Sequence, residues 1–148
     1  MAKRGIQKQY NNPLIVIPFD SRTSKIATNL KSELEKVFSA NNHKVSVLTL
    51  RVEDSKLELN STTENESRLA EEIAQGHNDI VIFFRPNEIY YVNGGLQTAT
   101  YILVGTDVSS KKEVWKANYK AQGGFGPASL AKKSANIIFN KLQSDNIL

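Results

Sequence analysis

The chain contains no cysteine, which excludes disulfides, thiolate metal centres, iron–sulfur clusters and cysteine nucleophiles together. Histidine is nearly as scarce: His43 and His77 are the only two, leaving almost nothing for imidazole or metal chemistry. No apolar run approaches the ~20 residues that a membrane-crossing helix needs. The longest, Leu14 to Ile17 and Ile80 to Phe84, are of strand length. The basic opening Met1-Ala2-Lys3-Arg4-Gly5 is not followed by the roughly 7–15-residue apolar core of an export signal. What is present is ordinary globular composition, 40% hydrophobic and 23% charged residues in a 148-residue chain. Global disorder is therefore excluded, and the length suits one domain.

Charge is more informative by region than in total. The net +4 is the balance of a +3 lead (Lys3, Arg4 and Lys8 in residues 1–10), a −4 middle and a +5 end. The middle, residues 11–110, holds nine basic and 13 acidic residues; residues 111–148 hold seven lysines against Glu113 and Asp145.

Hydrophobic periodicity divides the chain into elements. Residues 1–12 are polar and unpatterned, which predicts a flexible lead-in or tether before a single α/β domain over 13–148. Leu14-Ile15-Val16-Ile17 is apolar throughout, as in a strand buried on both faces. Ile26, Ala27, Leu30, Leu34, Val37 and Phe38 follow helical spacing, opened near Thr23 or Ser24 and closed by Asn41-Asn42. Val45 to Leu50 alternates as a strand, making a right-handed β-α-β unit. A polar stretch, Glu53 to Thr62, has no clear pattern. Thr63 and Glu66 form a capping box for a helix over 64–75, with Gly76 at its stop. Ile80 to Phe84 is a further buried strand; Pro86-Asn87 either turns it into Glu88–Val92 or interrupts one longer strand. Thr98–Asp107 and Lys111–Ala121 form a hairpin through Val108-Ser109-Ser110, a turn short enough to fix the register. Pro127 opens a last helix with Leu130, Ala131, Ser134, Ala135, Ile138 and Leu142 on its inner stripe. The order β-α-β-α-β-β-β-α predicts an α/β fold of the α+β kind, a mixed parallel and antiparallel sheet flanked by helices.

The residues that carry chemistry are few. Gly123-Gly124-Phe125-Gly126 precedes a helix start, but the lysine of a phosphate-binding loop is missing and Pro127 removes a donor, so it reads as a joint. His43 and His77 each follow a helix end and read as caps. Glu71 and Glu72 are neighbours on a helix, about 100° apart rather than convergent. No catalytic, metal-binding or cofactor-binding set emerges, and an enzyme is not expected. The sequons Asn60-Ser61-Thr62 and Asn65-Glu66-Ser67 matter only in a eukaryotic secreted protein. Two surfaces remain. Lys112, Lys116 and Lys120 have even spacing, which predicts one basic strand face, with Glu113, Trp115 and Tyr119 on the other. Such a face either meets nucleic acid phosphates, anionic lipid or an acidic protein partner, or keeps a sheet edge soluble. The absence of arginine from residues 111–148 argues against nucleic acid. Tyr90-Tyr91, beside Asn93-Gly94-Gly95, has the composition of a protein interface.

The strand and turn Ile15-Val16-Ile17-Pro18-Phe19-Asp20-Ser21-Arg22, followed by a helix and Lys44-Val45-Ser46-Val47, resembles the start of bacterial envelope lipoproteins with a TolB-amino-terminal-like fold. These are of the penicillin-binding-protein activator and curli-assembly type. The hairpin with Tyr101-Ile102-Leu103-Val104, Asp107 and Lys112-Glu113-Val114-Trp115 is similar to their strand, aspartate turn and valine-tryptophan strand. The tail Leu142-Gln143-Ser144-Asp145-Asn146-Ile147-Leu148 is similar to their closing segment, with Asn146 in place of glycine. The resemblance covers residues 14–148 and implies a noncatalytic accessory protein on the periplasmic side of the outer membrane, binding an envelope protein partner. It also implies a lipid-bearing cysteine upstream of Lys3. The alternative reading is a small cytosolic nucleotide- or nucleic-acid-binding α/β module. Neither reading specifies an oligomeric state.

Overall fold

The run after Asn12 is apolar at every position, and it becomes an interior strand of a sheet with layers on both sides. The computed structural model describes residues 9–20, 24–51, 63–92, 95–122 and 127–148, with side chains outside the description at 63–66, 85–92, 95–99, 121–122 and 127–130. The lead-in through Lys8, the polar stretch 52–62, Asn93-Gly94 and the Gly123–Gly126 joint lie outside the described residues. Strands β1 (Pro13–Phe19), β2 (Ser46–Arg51), β3 (Ile80–Val92), β4 (Gly95–Asp107) and β5 (Glu113–Gln122) form one sheet in the order β2-β1-β3-β4-β5. β1 pairs in parallel with β2 and β3, and the pairs β3–β4 and β4–β5 are antiparallel. Helices α1 (Ser24–Ala40), α2 (Thr63–Gly76) and α3 (Pro127–Ser144) complete the expected order.

The pleat sends alternate residues of β1 into two cores. Ile15 and Ile17 pack with Leu34 and Phe38 of α1, Ile138 and Phe139 of α3, and Leu103 and Trp115 of the hairpin. Leu14 and Val16 face Leu48, Leu50 and Val81, closed by Leu69 and Ile73 of α2. Phe38 meets Phe139 edge-on at 5.0 Å, which locks α1 to α3. Phe139 was not on the stripe expected for the last helix, yet it is 2% exposed.

Three local outcomes refine the sequence reading. First, of the two readings of Pro86-Asn87 the single longer strand holds: β3 runs through it, with a register shift between Pro86 and Glu88 that absorbs the proline. β3 and β4 thus pair as a long antiparallel ribbon. Second, Gly76 is the last helical residue of α2, and the left-handed conformation falls to His77, φ 51°. A Cβ at Gly76 would lie 2.7 Å from Asn78 Oδ1, so a larger residue there would have to displace the buried Asn78 side chain. Third, Gln9–Asn12, expected in the lead-in, are held by the domain. Tyr10 is 3% exposed, its N–H donates to Ile147 O at 2.8 Å, and Gln9 Nε2 donates to Leu148 O at 2.9 Å. The two ends of the described chain therefore meet at one end of the sheet.

Candidate interaction surface

β5 is an edge strand whose partners on β4 decide which side chains share a face. Its register is Thr100↔Lys120, Ile102↔Asn118 and Val104↔Lys116, then shifts so that Gly105 opposes Trp115 and Thr106 opposes Glu113. The extra residue is a bulge, and it reverses the alternation expected for the start of the strand. Glu113 joins the row of Thr106 on the lysine face, while Trp115, Ala117 and Tyr119 remain on the helix-covered face. Lys112 drops out of β5 altogether and closes the turn, its carbonyl accepting Asp107 N–H at 2.9 Å. The predicted three-lysine face is thus corrected to Lys116 and Lys120 with Asn118 between them, all exposed, and Glu113 at one end. Beneath them lie buried Val104 and half-buried Ile102 and Phe83.

Next to the bulge, a Cβ at Gly105 would come within 3.2 Å of both Ile80 Cδ1 and Trp115 Cβ, so the close approach of the strands there favours glycine. Trp115 Nε1 donates to Asp145 Oδ2 at 2.8 Å, tying β5 to the end of α3, and Lys141 pairs with the same carboxylate at 3.2 Å. Tyr119 OH and Ser134 Oγ share a 2.8 Å hydrogen bond farther along the same contact, and burial raises the Tyr119 phenol, partly offset by that bond.

The second predicted surface meets the first. Tyr90 pairs with Thr98, which pairs with Gln122, so its register row lies one residue pair beyond the Glu88–Thr100–Lys120 row on the same sheet face. A second shift follows, and Tyr91 pairs with Leu96 next to the end of the ribbon. Lys116, Lys120 and the Tyr90 row therefore belong to one continuous strip, whereas Lys112 and Tyr91 stand outside its regular rows. Sequence spacing gave no sign of this union, because it depends on two bulges and a cross-strand register.

The opposite end of the ribbon is a structural lock. Buried Asp107 accepts Tyr10 OH at 2.7 Å, Ser109 Oγ at 2.7 Å and Ser110 N–H at 2.9 Å. Burial first, then the bond to Asp107 and the negative charges of Asp107 and Asp79, push the Tyr10 phenol well above its ordinary range. Asp79 accepts the N–H groups of Asn11 and Asn12 at 2.8 and 3.0 Å. Asp107, Trp115 and Asp145, which carried the family resemblance, thus act in holding elements together.

A polar cavity of about 450 Å³ opens near the starts of β2 and β3, where α1 and α2 end. Both histidines line it, with Glu35, Lys44 and Asn78. His43 also meets Phe139 edge-on at 5.6 Å, and its N–H closes α1 by donating to Phe38 O at 2.9 Å, in keeping with a capping role. Asn78 Oδ1 is buried without a hydrogen-bond partner. Among the described residues no group of three or more histidine or acidic side chains is placed to hold a metal ion, and no helix is long and apolar enough to cross a membrane.

No family model matches the chain, and no curated protein matches it. Solved structures do. A variant PelC dodecamer from Paraburkholderia phytofirmans aligns over 99% of this chain and 94% of its own at 15% identity, with a TM-score of 0.57. A second PelC dodecamer from the same organism aligns over 93% and 92% at 15% identity, TM-score 0.52. A lipoprotein from Neisseria meningitidis aligns over 90% and 98% at 15% identity, TM-score 0.48. The likeness to the PelC chains shows a shared fold that spans the whole domain, a mixed α/β sheet with helices on both faces.

Proposed function

We propose that this chain is a noncatalytic accessory domain of the bacterial cell envelope that acts by binding a protein partner. It is held on the periplasmic side of the outer membrane by a lipid anchor upstream of Lys3. The observation that carries the binding role is the strip over β4 and β5, where exposed Lys116, Asn118 and Lys120 share one sheet face with the Tyr90 row. Whole-length likeness in fold to PelC and the lipoprotein resemblance of the strand, hairpin and tail support the envelope assignment. The position of Tyr10 supports a tether, since the chain enters the domain at the end remote from the Tyr90 row.

Lys116→Glu with Lys120→Glu tests the surface. Both side chains are exposed, so the melting curve stays where it is, while capture of the partner from an envelope extract falls. Unchanged capture removes the strip as the binding surface. The upstream coding sequence tests the compartment: absence of both an export signal and a lipid-attachment cysteine overturns the envelope assignment. Salt-sensitive binding of DNA or RNA by the wild type would favour the cytosolic nucleic-acid reading instead.

A further inference from the structure

α3 carries no acidic residue in its 18 positions. Lys132, Lys133, Asn136, Ile137, Asn140 and Lys141 are all exposed on its outer side, while Ala135, Ile138, Phe139 and Leu142 face the core. Lys133, Ile137 and Lys141 recur every fourth residue and lie on one stripe, with Lys132, Asn136 and Asn140 on the next. Ile137 is 44% exposed, and among the described residues it is the one large apolar side chain left so open. Lys141 is compensated by Asp145 at 3.2 Å, whereas among the described residues Lys132 and Lys133 have no acidic partner. The adjacent α1 adds Lys25, Lys31 and Lys36 against Glu33 and Glu35, so the helix layer as a whole stays basic.

We infer that the outer face of α3 docks on an anionic phospholipid surface, with its three lysines among the headgroup phosphates and Ile137 reaching beneath them. This rests on the envelope reading for the anchor that brings the domain to a membrane; the lipid contact itself is tested on the untethered chain. Tyr10 N–H donates to Ile147 O, so the chain enters the domain beside the residues that follow α3. An eight-residue segment, residues 1–8, reaches at most about 28 Å, and the 18 residues of α3 span about 27 Å. An anchor just upstream therefore holds the whole helix within reach of the lipid. The same segment brings Lys3, Arg4 and Lys8 without an acid, which adds to the attraction.

Composition selects lipid over the other occupants. Protein interfaces are enriched in tyrosine, tryptophan and arginine and depleted in lysine. α3 has none of those three types. A second copy set on the same face would oppose lysine to lysine. Lysine, a compact charge on a long apolar stem, suits a layer of phosphates, and each one near an anionic surface strengthens attachment by about fivefold. Docked this way, the domain turns its other sheet face, with Lys116 and Lys120, away from the membrane and toward a protein partner.

Co-sedimentation of the full chain with phosphatidylglycerol-containing vesicles at about 0.1 M salt, where charges more than about 10 Å apart are screened, tests the contact. The wild type is expected to bind, and vesicles of phosphatidylcholine alone, or about 0.5 M salt, release it. K132E/K133E and K116E/K120E both take the net charge from +4 to 0, so the pair separates one face from the total. The first weakens vesicle binding by about tenfold or more. The second, at least a helix diameter of about 10 Å farther from the lipid, weakens it by about threefold or less. Ile137→Ser weakens it by about three- to tenfold. All five side chains are exposed, so the melting curves stay in place. A wild type that does not bind, equal losses in the two double variants, or full binding by K132E/K133E or by Ile137→Ser overturns the inference. Capture from an envelope extract keeps the two readings apart. Loss of capture only in K116E/K120E, with loss of vesicle binding in K132E/K133E, supports both. Loss of capture but not of vesicle binding in K132E/K133E assigns the α3 face to a protein, and the lipid contact falls.

Discussion

Tyr10→Phe removes one oxygen and isolates the lock that joins the N-terminal segment to the hairpin. The ring stays in the core, where Tyr10 is 3% exposed, and the 2.7 Å bond to Asp107 Oδ2 is lost. A hydrogen bond to a charged group contributes about 1.5–3 kcal/mol, and Asp107 is buried, so its carboxylate is left short of one donor. For a domain of this size each kcal/mol shifts Tm by about 2–4 °C, which gives a fall of about 3–12 °C at pH 7. The pH dependence supplies a second readout. Folding holds the Tyr10 phenol above its ordinary pKa of 10.0, so the neutral form is favoured in the folded state. That contribution is fully present below pH 10 and is lost as pH rises, at about 1.4 kcal/mol per pH unit. Tyr119 is raised in the same direction, so the variant keeps the Tyr119 share of the alkaline slope and loses that of Tyr10. Urea denaturation followed by circular dichroism at pH 7 and at several values above 10 measures both. A variant within about 0.5 kcal/mol of wild type at pH 7, with an unchanged alkaline slope, would refute the lock.

Asp145→Ala leaves Trp115 Nε1–H, on a 3% exposed side chain, without its acceptor and should cost about 1–3 kcal/mol by denaturant titration. Lys141→Ala, which removes only the exposed ion pair, should stay within about 1 kcal/mol of wild type; equal losses would contradict the assignment to the tryptophan bond. Gly105→Val places methyl groups where even a Cβ is 3.2 Å from Ile80 and Trp115, and should destabilise by about 1–3 kcal/mol and perturb Trp115 fluorescence. An unperturbed spectrum would show that the bulge has room to spare.

How much of this was legible beforehand depends on the range of the interaction. The β1 and β3 runs, the amphipathic α1 and the capping box of α2 are local patterns, set by side chains within a few residues of one another, and each became the expected element. The lysine face was legible only in part, because even spacing assigns a face only while the pleat is unbroken. The bulge lies between the Gly105–Trp115 and Thr106–Glu113 pairs, beside a backbone position approached by Ile80 and Trp115 from two other strands, which nothing in residues 111–120 announces. Tyr10 was misread for a related reason: a lone aromatic in a polar segment has no periodicity, and its partners Asp107 and Ile147 are about a hundred residues or more away.

By itself, then, the sequence determined the element order, the buried identity of β1 and the exclusion of thiol chemistry, since composition and short-range periodicity suffice for these. Only the tertiary structure decided that Glu113 shares the lysine face, that Lys112 leaves it and that the Tyr90 row joins it. It alone decided that α2 packs through Leu69 and Ile73 over Leu14, Val16 and Val81. Strand order, register and layer coverage are properties of pairs of distant segments, and they are set when side chains such as Trp115 and Tyr10 find the space and partners that chain folding brings to them.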